Sequence, residues 1–194
     1  MIGVAAYDQP MLTAQRPITL EQFLRLPERK PSLEFEDGEV KKKVSPKQRH
    51  SRLQAQLLRL IDRLGSPALD ALPELRVTFA GQSLVPDVAV FLRERLPVDE
   101  HGEPEDDVFV APDLAVEIVS PRQVVTTLVR RCVWYADNGV RVALLVDPAD
   151  RSIILFRPDA PTRALRGEAV VDLTDLAPEL RFTVAELFAA LRLR

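Results

Sequence analysis

Two short apolar runs joined by one helix-like segment constrain the fold of this chain more than any other feature. The runs are DLAVEIVS at residues 113–120 and VALLVD at residues 142–147. Between them, the segment from Gln123 to Asn138 has a helical pattern that ends at Gly139. Two buried strands joined by a helix favour a crossover unit. Predicted hairpins surround this unit, so the sequence predicts a mixed α/β (α+β) sheet flanked by helices.

Capping boxes, turn residues and alternating patterns predict the other elements. The predicted elements are a short helix over 20–26, a hairpin over 33–44 that turns at Asp37-Gly38, a helix from the capping box of 45–48 to about Leu64, strands over 75–80, 84–91 and 152–157, and a C-terminal helix over 183–193. Residues 1–18 are expected to form a flexible N-terminal segment, and residues 19–194 a single domain.

Composition excludes several classes of protein. No stretch reaches about 18 consecutive apolar residues, so no membrane span is expected. Cys132 is the only cysteine, which excludes an internal disulfide and a cysteine-based zinc site and favours a cytoplasmic protein. The formal net charge of −3 argues against a protein that coats nucleic acid by charge alone, but it leaves room for a local basic patch on an enzyme.

Two acidic residues lie in or beside apolar runs. Glu117 is in the middle of the run LAVEIVSP, where an unpaired buried carboxylate would be strongly unfavourable, and Asp87 follows Pro86 at the start of another run. If these two strands are neighbours, both carboxylates reach one end of the sheet. A hard divalent cation such as Mg²⁺ would then relieve their repulsion. The alternative is that Asp87 caps a turn and Glu117 pairs with an arginine.

Helical periodicity directs two further side chains towards this region. In the helix 123–138, Arg131 lies at the edge of the apolar stripe and is able to lean over the sheet towards the two carboxylates. A plain salt bridge to Glu117 explains the same position. His50 falls within the apolar stripe of the helix 46–64, where a packed, hydrogen-bonded histidine is commoner than a ligand.

The predicted hairpin and the helix after it carry the densest charge. Glu34 lies on the first hairpin strand and shares a face with Glu36, and the ordinary expectation for such a residue is an outward-facing charge. A basic cluster follows, and solvated surface is its ordinary interpretation. It is also able to hold phosphates, which is the sequence-independent part of nucleic-acid binding. The cluster consists of Lys41, Lys42, Lys43, Lys47, Arg49 and Arg52.

Five segments in a fixed order carry a family resemblance. They are LEFEDGEV at 33–40, RH at 49–50, VPDVAVF at 85–91, PDLAVEIVSP at 112–121, and RCVWY at 131–135 followed by NGVRVALLVDP at 138–148. In these segments the chain resembles the putative restriction endonuclease family, a bacterial group placed in the PD-(D/E)XK nuclease superfamily. The resemblance implies a restriction-endonuclease-like fold and hydrolysis of DNA.

Residue by residue, the resemblance implies a metal site. Asp87 and Glu117 match two metal ligands of the family. Glu34 matches an acidic residue that helps to hold metal, often through water. His50 matches a histidine that the family commonly places at this helix start, with a contact to phosphate or to the site carboxylates.

The lysine of the superfamily is missing from its usual place. The half-motif E-x-K would put it at position 119, which is Val119 here. Members of the family typically carry the lysine on the following helix, four residues before a tyrosine, and that position is Arg131. Arginine is able to stabilise charge and to grip a phosphate, but it does not deprotonate and therefore cannot serve as a base.

Three hypotheses follow. In the first, Asp87, Glu117 and the backbone carbonyl of Ile118 hold Mg²⁺ or Mn²⁺ in a DNA endonuclease, Glu34 orders a second metal or a water, and Arg131 stabilises charge on the phosphate. In the second, a catalytically impaired nuclease fold binds nucleic acid or another protein. In the third, Glu117 and Arg131 merely form a buried pair. A homodimer suits the nuclease-type hypotheses, because two sites cut two strands more easily.

Overall fold

A computed structural model describes residues 18–121 and 123–193. The α-helices of this part of the chain are α1 (Leu20–Leu24), α2 (Gln48–Leu64), α3 (Val125–Asp137) and α4 (Val184–Phe188). The strands are β1 (Leu33–Glu36), β2 (Glu39–Lys42), β3 (Leu69–Pro73), β4 (Val77–Phe79), β5 (Gln82–Leu84), β6 (Val88–Leu92), β7 (Leu114–Ile118), β8 (Val142–Asp147), β9 (Ser152–Phe156), β10 (Arg163–Arg166), β11 (Val170–Asp172) and β12 (Arg181–Thr183).

The central sheet has six strands in the order β10-β9-β8-β7-β6-β3. Strands β7 and β8 pair in parallel, and α3 connects them, which confirms the predicted crossover. The other neighbouring pairs of this sheet are antiparallel. A second sheet has the order β2-β1-β5-β4, and β11 and β12 form a two-stranded ribbon. The predicted fold class, a mixed sheet flanked by helices, is therefore confirmed.

Alternating side chains of β7 and β8 divide the core into two layers. Val116 and Leu144 belong to the layer that α2 covers, which includes Leu57. Ala115 belongs to the opposite layer, where Tyr135 of α3 is fully buried. Because side chains alternate along a strand, Glu117 shares the face of Ala115 and is directed towards α3.

The hairpin and two of the predicted capping boxes are confirmed. Asp37 and Gly38 both have positive φ, at 54° and 79°, as a tight two-residue hairpin turn requires. The capping boxes at Thr19 and Thr183 are both formed. The C-terminal helix is shorter than predicted, because α4 gives way to a 3-10 turn over Ala189–Leu191.

Two predicted elements differ from the structure at prolines. The capping box predicted at 45–48 is wrong, because α2 begins only at Gln48 and has no side-chain cap. Pro46 lies before the helix and not at its first position, and the residue next to the helix is Lys47, which has extended backbone and a side chain with no acceptor for a first-turn amide. The predicted strand 84–91 is broken by Pro86, which has no N–H to donate to a strand ladder. Leu84 therefore ends β5, and β6 begins at Val88.

The predicted flexible segment over 1–18 falls almost entirely on residues 1–17, which lie outside the described residues. Within the two described ranges, every helix is too short or too polar to cross a membrane.

Candidate active site

Strands β6 and β7 bring Asp87 beside Glu117. The two strands pair antiparallel, with Val88 opposite Val116. The Asp87 amide donates to the Val116 carbonyl at 2.9 Å, and the Ile118 amide donates to Asp87 Oδ2 at 2.6 Å. The two strands are therefore neighbours, which is the condition under which both carboxylates reach one end of the sheet. Both carboxylates lie at one end of the sheet, and both are buried.

Asp87 lies between a lysine and a histidine. Lys43 Nζ donates to Asp87 Oδ1 and to the Val85 carbonyl, each at 2.6 Å. His50 Nε2 lies 2.9 Å from Asp87 Oδ2. Burial alone would raise the pKa of Asp87, but the hydrogen bond from His50 and the charge of Lys43 outweigh it and hold that pKa below its ordinary value. Asp87 is therefore an ionised carboxylate at neutral pH.

The first turns of α2 fix Asp87 from one side. Because α2 begins at Gln48, His50 lies in its first turn, and its side chain is buried. One turn further along, Gln54 Nε2 donates to the Asp87 carbonyl at 2.7 Å. His50 Nδ1 is buried and has no hydrogen-bond partner among the described residues. These contacts hold both the side chain and the backbone of Asp87 in place.

Arg131 lies at the centre of a carboxylate cluster. Its Nε donates to Glu36 Oε1 at 2.9 Å, and its Nη2 donates to Glu36 Oε2 at 3.0 Å. Its Nη1 and Nη2 donate to the two oxygens of Glu34, both at 3.1 Å. A longer contact of 3.5 Å joins Nη1 to Glu117 Oε1. The predicted approach of Arg131 to the site is thus present, but its shortest contacts are with the hairpin.

The hairpin strand β1 supplies two of the carboxylates in this cluster. Glu34 and Glu36 alternate onto one face of the strand and are 3% and 7% exposed, so the ordinary expectation of an outward charge is wrong for Glu34. The Val85 amide donates to Glu34 Oε1 at 2.9 Å. Burial would raise the pKa of Glu36, but Arg131 and Lys41 donate to it and hold that pKa below its ordinary value.

Glu117 has the least cationic support of the four carboxylates. Tyr135 Oη donates to Glu117 Oε1 at 2.9 Å. The cation nearest to this oxygen is Arg131, whose Nη1 lies 3.5 Å away. Burial and the nearby carboxylates raise the pKa of Glu117 to about 7, although the charges of Arg131 and Lys43 oppose this shift. Since Arg131 makes its shorter contacts with Glu34 and Glu36, the hypothesis of a simple Glu117–Arg131 pair describes only part of the network.

Replacing Glu117 with glutamine is expected to stabilise the metal-free protein at pH 8. The folded pKa of about 7 lies above the ordinary value of 4.5, so stability falls as the pH rises through this window, because the unfolded chain releases its proton first. Removing the charge should raise the free energy of unfolding by on the order of 1–3 kcal/mol at pH 8 and should change little near pH 4.5. Urea denaturation at both pH values measures the difference. A marked loss of stability at pH 8 would favour the structural-pair hypothesis.

Sequence analysis missed three members of the site. Lys43 was interpreted as part of a solvated basic cluster, yet only 12% of its side chain is exposed. Glu36 and Tyr135 were not predicted as site residues. The register of the hairpin could have revealed Lys43. A two-residue turn at Asp37-Gly38 puts Lys41 opposite Glu34, and Lys43 follows two positions later on the same face, which is the face of the site carboxylate Glu34.

A cleft of about 240 Å³ opens between the hairpin, the ends of β6 and β7, and the starts of α2 and α3. The predicted residues Glu34, His50, Asp87, Glu117 and Arg131 all line it, and so does Ile118. Four buried carboxylates line this cleft, and three cations contact them, namely Arg131, Lys43 and the partly exposed Lys41. When all four carboxylates are ionised, one of their negative charges is therefore not matched by a contacting cation.

The donor set suits a hard divalent cation. Within the described residues no three acidic, histidine or cysteine side chains are already arranged around a metal position, because the carboxylates are turned towards Lys43 and Arg131. Each carboxylate oxygen has two lone pairs. Asp87 Oδ1 accepts one hydrogen bond, and no described residue donates to Glu117 Oε2. The residues present therefore fit an oxygen-coordinated ion such as Mg²⁺.

Comparisons with known proteins agree with the fold. The family described as "Putative restriction endonuclease" (Uma2) matches residues 20–185. A crystal structure of a putative nuclease of the DUF820 group from Anabaena variabilis is 34% identical, with a TM-score of 0.87, over 91% of this chain and 100% of that one. A cryo-EM structure of a DrdV–DNA complex covers 73% of this chain and 11% of its own at 12% identity, and its TM-score is 0.35. None of the curated proteins matches.

Proposed function

The chain belongs to the putative restriction endonuclease family, and on that premise we propose that it is a Mg²⁺- or Mn²⁺-dependent endonuclease that hydrolyses DNA. The observation that carries this proposal is the convergence of Asp87, Glu117 and Glu34 in one cleft with buried cations. Residues 19–194 would act as one catalytic domain.

Asp87, Glu117 and the carbonyl of Ile118 would hold the ion, with Glu34 contributing through water. A divalent ion bound there would polarise the phosphate and lower the pKa of a water molecule. Asp87 is well prepared for this role, because His50, Gln54 and the Ile118 amide fix its geometry before any ligand arrives.

Arg131 would act as a positioning residue. It binds both oxygens of Glu34 and both oxygens of Glu36, so it holds the hairpin against α3 and sets the wall of the cleft. Tyr135 would have the corresponding role for Glu117, because its hydroxyl donates to one oxygen and leaves the other for the ion.

Exposed basic residues beside the cleft support a DNA substrate. Lys42 lines the cleft, and Lys47 and Arg49 precede His50 at the start of α2. All three are exposed, and contacts of this kind to phosphates position a duplex without reading its sequence. We propose in addition that two copies act as a homodimer, since one site cuts one strand.

Binding of Mg²⁺ or Mn²⁺ is expected to require Asp87 and Glu117. Calorimetric titration of the wild-type protein at millimolar metal should show a saturable site, because Glu117 has only a 3.5 Å contact with a cation and a divalent ion would compensate its charge. The site should be lost or much weaker in Glu117→Gln. An Asp70→Asn protein is a control, because Asp70 lies on β3 outside the cleft. If titration of the wild-type protein with metal releases no more heat than the buffer blank, the metal is removed from the proposal.

A second candidate function, a catalytically impaired module that binds nucleic acid, also has an observation in its favour. Val119 stands where the superfamily has its lysine, and Arg131 is engaged with carboxylates. In that case the protein would bind DNA with a salt-dependent affinity and would not cleave it with either metal. A gel-shift assay run beside a cleavage assay separates the two functions.

A further inference from the structure

Every donor of Arg131 is already used inside the protein. A guanidinium has five N–H groups, and Arg131 makes five contacts with the oxygens of Glu34, Glu36 and Glu117. Only 8% of its side chain is exposed. To contact a phosphate, Arg131 would have to leave buried carboxylates without their cation, which is strongly unfavourable. It is therefore poorly placed to stabilise charge on a substrate.

Lys43 offers what Arg131 lacks. Its ammonium has three N–H donors, and two of them bind Asp87 Oδ1 and the Val85 carbonyl. No described residue accepts the third, and Lys43 is one of the residues that line the cleft. Its Nζ is thus held against a proposed metal ligand and keeps one donor for a ligand.

The lysine is more than a counter-ion for Asp87. Asp87 Oδ2 is already held by the Ile118 amide and by His50, so this carboxylate has partners without Lys43. The contact with the Val85 carbonyl also anchors the ammonium independently of the acid. Val85 in turn donates its amide to Glu34, so Lys43 and the Arg131 cluster are fixed by the same residue.

We infer that Lys43, and not Arg131, is the cation that contacts the scissile phosphate and orients the attacking water. The inference rests on the proposed nuclease function. In hydrolysis, the water oxygen forms a bond to phosphorus, the bond to one ester oxygen breaks, a water proton passes to solvent, and the departing oxygen takes a proton from solvent. Lys43 would donate a hydrogen bond to a non-bridging oxygen, would keep its own protons, and would bind that oxygen more strongly as negative charge develops on it in the transition state. The lysine that is missing at position 119 would thus be replaced by Lys43, from the hairpin side of the cleft.

Three variants test the inference. Lys43→Ala is expected to lower kcat for DNA cleavage by at least about 10²-fold with little change in KM, while calorimetric metal binding is retained or strengthened, because a competing cation beside Asp87 is removed. Lys30→Ala is the matched control, because Lys30 is an exposed lysine outside the cleft, and it should stay near the wild-type rate. Lys43→Cys alkylated with 2-bromoethylamine recreates an ammonium of similar length and should recover activity. The native Cys132 is fully buried and should not react.

The outcomes separate the inference from the proposed function. If Lys43→Ala cleaves like the wild type while Asp87→Asn is inactive, the inference is overturned and the nuclease function stands. If the alkylated Lys43→Cys protein is folded, as thermal denaturation shows, but remains inactive, the role of Lys43 is structural and the inference is again overturned. If wild-type protein shows no cleavage with Mg²⁺ or Mn²⁺, the proposed function fails, and the inference fails with it.

Discussion

Replacing Arg131 with methionine is expected to destabilise the fold by more than about 3 kcal/mol, because the change leaves several buried carboxylates without their cation. Glu34 and Glu36 each lose a bidentate partner, and Glu117 loses its nearest cationic contact. Arg130→Met is a matched control, since Arg130 is the preceding residue of α3 and is exposed. Chemical denaturation of the two proteins in parallel measures the difference.

Arg131→Lys gives a finer version of the same test. A lysine ammonium has three donors and cannot span both oxygens of two carboxylates, so stability should fall here too, by less than in Arg131→Met. Cleavage should not increase. A large gain in metal-dependent cleavage by Arg131→Lys would contradict this account. It would restore the hypothesis that position 131 provides the catalytic cation and that arginine has weakened the site.

Replacing Asp87 with asparagine is expected to lower metal-dependent cleavage by at least about 10³-fold, because the site loses the charge of a fixed metal ligand. Asparagine keeps the shape of the side chain and can still accept a hydrogen bond from Lys43 or from the Ile118 amide. Circular dichroism and thermal denaturation check that the variant is folded.

The control for this variant is Asp70→Asn, which makes the same chemical change on β3 outside the cleft. It should cleave at the wild-type rate. Strong cleavage by folded Asp87→Asn would show either that Asp87 is no metal ligand or that a contaminating nuclease produces the signal.

Much of the fold could be predicted because it depends on local patterns. Short continuous apolar runs mark β7 and β8, the helical stripe marks α3, and the Asp37-Gly38 pair marks the hairpin turn. Strand β3 and the split of the segment 84–91 at Pro86 were missed. Strand β3 lies at the edge of the sheet, and its residues have no clear alternation of apolar and polar side chains. The split at Pro86 depends on one missing N–H within an apolar run.

The sequence predicts which residues form the site better than it predicts the contacts between them. Alternation directs Glu117 towards α3, and helical periodicity directs Arg131 towards the sheet, so their meeting follows from local rules. The distribution of the five Arg131 donors among the carboxylates does not follow from local rules, because it depends on how deeply the hairpin packs against α3. Lys43 was assigned to the surface because lysine is rarely buried without a partner, and its partner, Asp87, lies 44 residues away in the sequence.

Metal-dependent turnover by the wild-type protein tests the central claim most directly. Purified protein is incubated with end-labelled duplex DNA and with supercoiled plasmid across a range of Mg²⁺ and Mn²⁺ concentrations. EDTA reversal and an identically prepared Asp87→Asn protein serve as background. The account predicts cleavage that saturates with metal, stops with EDTA and exceeds the Asp87→Asn background by at least about 10³-fold. Cleavage that never rises above that background at millimolar metal would contradict it and would leave a DNA-binding module as the function of this fold.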